Sequence, residues 1–584
     1  MGVPGFFAWL LRKYKSSDII IHEIHESIDI LYIDANCLFH PQCFKVLNFY
    51  GNKLEYDKLI DKMIRRILNY INHLIAFTRP SKEVFISVDG VAPLSKMCQQ
   101  RKRRYKTIQD NIIKNTVKQK YDKEIITAWS NTCITPGTIF MEKLHQRLIE
   151  YINTNNMNLK IKYTYSSYHT VGEGEHKILQ DIKTKNNDDN ATYVIYGLDA
   201  DLIFLALASK KNNIYLVREE MIFKNRHQFK EDIISITKDV AEDLTYVSIK
   251  ETRKSINTQI RNIIDKQGNI NEFDDTIDFT DDFIILCYFL GNDFVPNIPS
   301  IDIKTEGLDY ILNNYVDVLL NLGCQLTQIT DDILIINEIF FKMLIENLAK
   351  NEDYYFRVKY PQYVSDQLEK RKCFVDDPYD KEIWEMENMR NYNLDDPIKL
   401  GSDKAELWKF RYYEHYYGVV SCQSELKDQM CSDYLNGIMW TILYYFRKCP
   451  SWDWQYKFYH SPFISDLYDF LNRSNYNLNK TQFPYSKPLT PLVQLLAVLP
   501  PDCQDLLPNS YRFLMTSNKS SIIDLFPVDV KVDMLYKDSL HKCIPLVPNI
   551  NIKRILNASE NLKLTTSEQI RNKIEDNYII SYQI

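Results

Sequence analysis

The 584-residue sequence contains no apolar run long enough to cross a bilayer. The longest, such as FIILCYFL after Asp282, fall well short of the roughly 20 residues needed, so no membrane-spanning helix is expected. The opening residues lack a basic segment followed by an apolar stretch and a small-residue cleavage site, which points to a site of action inside the cell. Gly2 invites comparison with a myristoylation signal, but Phe6 stands where that signal has Ser or Thr. No disulfide framework is visible: the twelve cysteines are scattered and read as reduced thiols, mostly small apolar residues of the interior. Cys37, His40 and Cys43 form a tight C-x₂-H-x₂-C cluster, yet no fourth ligand follows at a suitable spacing, so structural zinc is not expected. An excess of positive charge is missing too. With 71 Lys and Arg against 77 Asp and Glu, the net charge is -6. Counterion release needs clustered cations, so any contact with nucleic-acid phosphate must be local.

The composition that is present belongs to a folded chain. Hydrophobic residues make up 45%, charged residues 25%, and the mean hydropathy is -0.34, which excludes a disordered chain. The length exceeds what one compact core supports, and two large modules are expected, 1–320 and 321–584. The 40 tyrosines leave ample material for base stacking, although most aromatics in any chain are core.

Three apolar, β-branched runs end abruptly in aspartate: ILYIDAN (30–36) at Asp34, EVFISVDG (83–90) at Asp89, and TYVIYGLDADL (192–202) at Asp199 and Asp201. Segments of helical periodicity such as 56–77 separate them, which predicts an α/β module with a parallel sheet covered on both faces. Ligands of such sheets sit beyond the carboxyl ends of the strands, where these aspartates fall. VGEGEHKILQDIK (171–183) predicts a turn opening into a helix, with Glu173 and Glu175 at its first turn. DDFIILCYFLGNDF (281–294) predicts a buried helix stopped by Gly291, with Asp293 just past its end. The stretch 221–280 reads as peripheral helices and loops. Amphipathic helices are expected around 333–350, a less regular segment to about 400, a long buried helix and aromatic turn over 433–460, and extended or turn backbone through the proline-rich 483–508. No internal repeat is visible, and the last two dozen residues carry little signal.

Asp34, Asp89, Glu173, Glu175, Asp199, Asp201 and Asp293 would then converge at one end of the sheet. So many like charges stay ionised together only if cations neutralise them. Hard oxygen ligands without a thiolate or imidazole pair select Mg²⁺, or Mn²⁺ in its place. Two such ions roughly 3.5 to 4 Å apart activate water for attack on a phosphodiester and stabilise the departing oxygen, which is nuclease chemistry. Any one of these acids alone could be a helix cap, a turn residue or a solvated charge. Three strands ending in Asp, together with an E-x-E and a D-x-D pair, favour a shared site.

Lys96, Gln100, Arg103 and Arg104 share one face if 96–106 is helical, seven residues after Asp89 begins the segment. A solvated basic face is the plain reading; beside the acids, the same face suits a terminal phosphate held by bidentate arginine. His40, Trp452 and Trp454 are second-rank candidates for stacking on bases.

These segments resemble the Xrn family of 5′-to-3′ exoribonucleases. MGVPGFFAWL, IDANCLFH, DGVAPLSKMCQQRKRR, CITPGTIFM, VGEGEHKI, YGLDADLIFLAL, REE and GNDFVPNIPSIDI are similar in order and spacing to its first conserved region. WKFRYY, YLNGIMWTILYYFRKCPSWDWQY, PLVQLLAVLPP, LLP and SSIIDLFPVDVKVD are similar to its second. The resemblance implies a nuclease core of PIN or flap-nuclease type with a second, mostly helical, aromatic-rich region packed against it. It implies metal binding by the seven acids, 5′-phosphate recognition by Lys96, Gln100, Arg103 and Arg104, and stacking of leading bases between His40 and Trp452 or Trp454. It further implies a monomer, a cytoplasmic or alternatively nuclear setting in mRNA decay, and processive release of nucleoside 5′-monophosphates from single-stranded RNA bearing a 5′-monophosphate. The chain departs from the family in carrying Ala35, Asn36 and Cys37 after the first Asp, and Leu94 in place of Arg. It stops soon after the second region, where the large cytoplasmic members continue. A flap-type structure-specific DNA nuclease and a catalytically silent RNA-binding scaffold are the alternatives.

Overall fold

A computed structural model describes residues 3–14, 16–156, 161–185, 190–219, 242–267, 274, 276–330, 333–419, 425–575 and 579–581. Its strands in chain order are β1 (Ile20–Ile21), β2 (Ile30–Asp34), β3 (Glu83–Ser87), β4 (Lys162–Ser166), β5 (Tyr193–Tyr196), β6 (Ile214–Glu219), β7 (Leu244–Ser248), β8 (Thr327–Thr330), β9 (Ile333–Ile336), β10 (Val532–Asp533), β11 (Ile544–Pro545) and β12 (Ile579–Ser581). Eight of them form one sheet in the order β1-β7-β6-β5-β2-β3-β4-β12. The five central strands are parallel, and antiparallel β7, β1 and β12 close the edges. From β2 the chain builds β3 and β4 on one side, then returns to place β5 and β6 on the other. That reversal puts a crevice beyond the carboxyl end of β2.

The α-helices described up to residue 208 are α1 (Phe6–Lys13), α2 (Ser16–Ile19), α3 (Ala35–Tyr50), α4 (Tyr56–Thr78), α5 (Leu94–Lys120), α6 (Ile139–Asn156), α7 (Gly174–Thr184) and α8 (Asp201–Ala208). Every residue of β2 and β3 is buried, as continuous apolar runs require when both faces are covered. One face packs on α3, α4 and α6. α4 shows why: Leu59, Met63, Ile67, Tyr70 and Leu74 recur at helical spacing and are all buried, each contributing about 1.5–3 kcal/mol. The other face packs on α1, α7, α8 and the helices Thr280–Cys287, Gly307–Leu322 and Glu425–Phe446. This cluster joins side chains from Val3 to Leu478, on both sides of position 320. A third cluster seats the start of α5, through Val91, Ala92, Leu94 and Met97, on the helix Pro491–Val498.

Three expectations need correction. The 221–280 stretch is not peripheral where it is described: β7 enters the central sheet, and the helix Ile249–Lys266 buries Ile256, Ile260 and Ile264 in the core. Residues 221–241, 268–273 and 275, together with Glu220 of the REE motif, lie outside the described residues. Residues 333–336 are strand β9, paired with β8, and the helix begins only at Glu338. The proline-rich segment contains the fully buried helix Pro491–Val498, because Pro491 occupies its first turn, where a missing N–H costs nothing.

Candidate active site

The acids reach one place by four different local routes. Asp34 ends β2 and stands at the N-cap of α3, and Glu173 stands at the N-cap of α7, but neither side chain caps its helix. A capping role is therefore ruled out for both, and their carboxylates point elsewhere. Glu175 lies in the first turn of α7, and Asp201 opens α8. Three helix N-termini, with their positive partial charge, thus face the acidic cluster. Asp89 follows β3; its Oδ1 accepts the Gly174 N–H at 2.6 Å, and its own N–H donates to Asn36 Oδ1 at 3.0 Å. Asp293 lies in the turn after Gly291, whose φ of +84° and tight approach to Asn297 leave no room for a side chain. Gly174 marks the convergence: a Cβ there would lie 2.8 Å from Asp34 Oδ1 and 3.3 Å from Asp89 Oδ1.

The electrostatics fit a divalent cation. Burial, then the charge of Asp89, pushes the Asp34 carboxyl up to about 8. Burial, with Asp293 and Asp199 adding to it, pushes Asp201 up to about 7. Glu175 lies well above the usual range through burial and Asp201, and Glu173 is raised by burial against the pull of Lys96. Burial works to raise Asp293 as well, but nearby positive charge, Lys96 foremost and Arg103 with it, holds that carboxyl low. Asp34 Oδ1 and Glu175 Oε2 are buried with no protein partner. Such oxygens suit a hard cation, because an uncompensated buried charge is expensive. Among the described residues, the ligand atoms of Glu173, Glu175 and His176 lie within 4.8 Å of one another.

On α5, the predicted basic face forms. Lys96 lies between the two sets, paired with Asp293 at 2.7 Å and with Glu173. Gln100 and Arg104 are buried; Arg104 donates to Thr135 Oγ1 at 2.7 Å and to Gln100 Oε1 at 3.4 Å. Arg103 is exposed. A cavity of about 330 Å³ is lined by Asp34, Asp89, Glu173, Glu175, Asp199 and Asp293, by Lys96, Gln100, Arg103 and Arg104, and by His40. Asp201, 2% exposed, lies behind this lining. Burial, then Arg103 and Arg104, holds the His40 imidazole down to about 4, so its ring is neutral.

The tryptophans are placed differently. Neither lines the cavity. Trp454 is half-buried, stacks on Trp440 with centroids 5.4 Å apart and packs against the core cluster. Trp452 is half-buried and its carbonyl accepts the first N–H of α5 at 2.9 Å. Cys43 is buried, and the Cys37 thiol donates to Asp34 Oδ2 at 3.0 Å. Three further groups at the site escaped sequence reasoning. Cys37 lines the cavity beside Asp34, a place its C-x₂-H-x₂-C spacing does not signal. Lys177 donates to Val88 O at 2.7 Å and Ser167 O at 2.9 Å, tying α7 to the ends of β3 and β4. Tyr444 donates to Glu173 Oε1 at 2.9 Å from 271 residues away.

Comparison with known proteins agrees with this geometry. The model described as XRN 5'-3' exonuclease N-terminus matches residues 1–220, and that of the Xrn1 helical domain matches 272–373 and 362–583. The chain belongs to the Xrn family. Human 5'-3' exoribonuclease 1 is 30% identical over 98% of this chain. The 5'-3' exoribonuclease 2 of Debaryomyces hansenii is 27% identical and the Drosophila melanogaster 5'-3' exoribonuclease 2 homolog 28% identical, each over 99% of this chain. The chain spans 35% of the human relative's own length, and 71% and 73% of the other two. In Xrn terms, Asp34, Asp89, Glu173, Glu175, Asp199 and Asp201 lie within the N-terminal match, while Asp293 and the helix Glu425–Phe446 lie within the helical-domain match.

Proposed function

We propose that this chain is a processive 5′-to-3′ exoribonuclease that hydrolyses 5′-monophosphorylated single-stranded RNA to nucleoside 5′-monophosphates in mRNA decay. The observation that carries this is a single cavity lined on one side by six of the seven acids and on the other by the cationic face of α5. At about 330 Å³ it lies at the small end of ligand pockets, with room for a strand's end rather than a duplex.

Arg103 and Arg104 grip the terminal phosphate, Arg in its fork geometry suiting a phosphate oxygen pair. Lys96 spends its charge on Asp293 and Glu173, so it links the phosphate pocket to the acids rather than serving the phosphate alone. Asp34, Asp89, Glu173, Glu175, Asp199, Asp201 and Asp293 hold divalent ions, Mg²⁺ or Mn²⁺, in a pair. What such ions supply when bound is an activated water and stabilisation of the departing 3′-oxygen. His40 offers a neutral ring to the leading base.

The test offers the purified chain, with Mg²⁺, RNA bearing a 5′-monophosphate, RNA bearing a 5′-hydroxyl, and flap DNA. Preferential decay of the first is expected. Asp201→Ala abolishes hydrolysis while RNA binding persists, and Arg103→Ala erases the end preference. Faster cleavage of flap DNA, or intact 5′-monophosphate RNA, overturns the proposal.

A further inference from the structure

We infer that Tyr444, on the helix Glu425–Phe446 of the second region, is a positioning residue for Glu173: its hydroxyl sets the angle at which that carboxylate meets a divalent cation. The inference rests on the reading of Glu173 as a metal ligand.

Glu173 has two competing local options. At the N-cap of α7 its carboxylate could accept from the free N–H groups of its own helix. It does not. Instead, Oε1 accepts the Tyr444 hydroxyl at 2.9 Å and the other oxygen meets the Lys96 ammonium. The carboxylate is thus held at both oxygens, once from α5 and once from the second region.

The hydroxyl is itself held. The Tyr444 ring is buried and stacks on Trp440, with centroids 4.7 Å apart and planes at 28°. The His176 ring packs on it with centroids 3.7 Å apart, and the Phe294 ring meets it edge-on at 5.4 Å. His176 follows Glu175 and Phe294 follows Asp293, so one ring touches the chain beside two further acids. Trp440 is anchored in turn by donating from Nε1 to Ser451 O at 3.1 Å. Gly437, one turn earlier, lets the helix approach so closely that a Cβ there would lie 2.4 Å from Val295. Close docking fixes the distance from the helix axis to Glu173. A ring so packed cannot swing its hydroxyl away without disturbing Trp440 and Phe294. Outer-shell partners of this kind orient ligating carboxylates, and their loss typically costs about 10- to 100-fold in metal affinity or activity.

The experiment uses the full chain and two variants, Tyr444→Phe and Tyr444→Leu. Mn²⁺ binding is measured by calorimetry without RNA, and kcat and KM are measured on 5′-monophosphate RNA. Tyr444→Phe keeps the ring and is expected to weaken Mn²⁺ binding about tenfold and lower kcat similarly, with KM unchanged. Tyr444→Leu shows the same loss of Mn²⁺ affinity together with a lower melting temperature. In a Glu173→Gln background, Tyr444→Phe costs no further Mn²⁺ affinity. Wild-type affinity and kcat in Tyr444→Phe, with only Tyr444→Leu impaired, would reduce Tyr444 to packing and overturn the inference. A wild-type chain that binds no Mn²⁺ overturns both the inference and the metal reading beneath it.

Discussion

Asp34 keeps one oxygen on the Cys37 thiol and leaves the other buried without a protein donor, so its burial has a consequence for pH. Its folded pKa of about 8 and that of Asp201 of about 7 lie above the ordinary carboxylate value. The folded chain therefore holds protons that the unfolded chain has released. For such groups the stabilising contribution is complete below the unfolded pKa, about 4, and disappears as pH rises through the folded values. Above them the acids repel one another unless a cation intervenes. Chelator-treated protein should thus lose melting temperature between about pH 6 and about pH 8.5, and saturating Mg²⁺ should raise it more at the higher pH. A Mg²⁺-induced gain that is equal at both pH values would show that these carboxyls do not face the ion.

Among elements, the closing strand is the least expected. β12 pairs with β4, which would otherwise be a sheet edge, and the segment before it is stitched down along the way. Arg571 is buried and donates to Gly137 O at 2.6 Å, Asn572 accepts the Leu492 N–H at 2.9 Å, and the Glu575 N–H donates to His169 O at 2.9 Å. Arg571→Ala strands a buried carbonyl and should cost about 2 kcal/mol; an unchanged denaturation midpoint would mean that the segment contributes nothing. Why such elements were illegible while others were plain follows from their chemistry. β2, β3 and β5 announce themselves because strands buried on both faces are continuous apolar runs. β4 reads KYTYS, alternating polar and aromatic, and its burial depends on neighbours far away in sequence. The hairpin β8–β9 carries too few residues for a period to emerge, and Pro491 looks like a breaker until its helix position is known. The seven acids and the α5 face were legible because each lies inside an unbroken local motif. Tyr444 is not, since its partner is set by tertiary packing alone, and nothing in sequence separates a tryptophan that packs on the core, as Trp454 does on Trp440, from one that stacks on a base.

At the scale of the molecule, the two halves share what each would need alone. Buried side chains of α1, α7 and α8 pack in the same cluster as Tyr434, Ile438, Trp440 and Tyr445. The helix that carries the cationic face depends on the second half at both its start and its middle. The Leu94 N–H donates to Trp452 O at 2.9 Å, the Ala92 N–H donates to Gln494 Oε1 at 2.7 Å, and buried Arg101 donates to Ala497 O at 2.7 Å. Residues 1–320 produced alone would expose the apolar surface that the helices Glu425–Phe446 and Pro491–Val498 cover, and would take from Arg101 its carbonyl acceptors Ala497 and Leu525. Exposed patches of that kind drive association. The fragment should therefore elute as aggregate, bind a hydrophobic dye and show no hydrolysis of 5′-monophosphate RNA. Co-expression with 321–584 should return a soluble one-to-one complex with activity, because the interface is core rather than a docking contact. A monomeric, dye-negative 1–320 fragment that degrades RNA would show instead that the acidic crevice and α5 assemble without the second half.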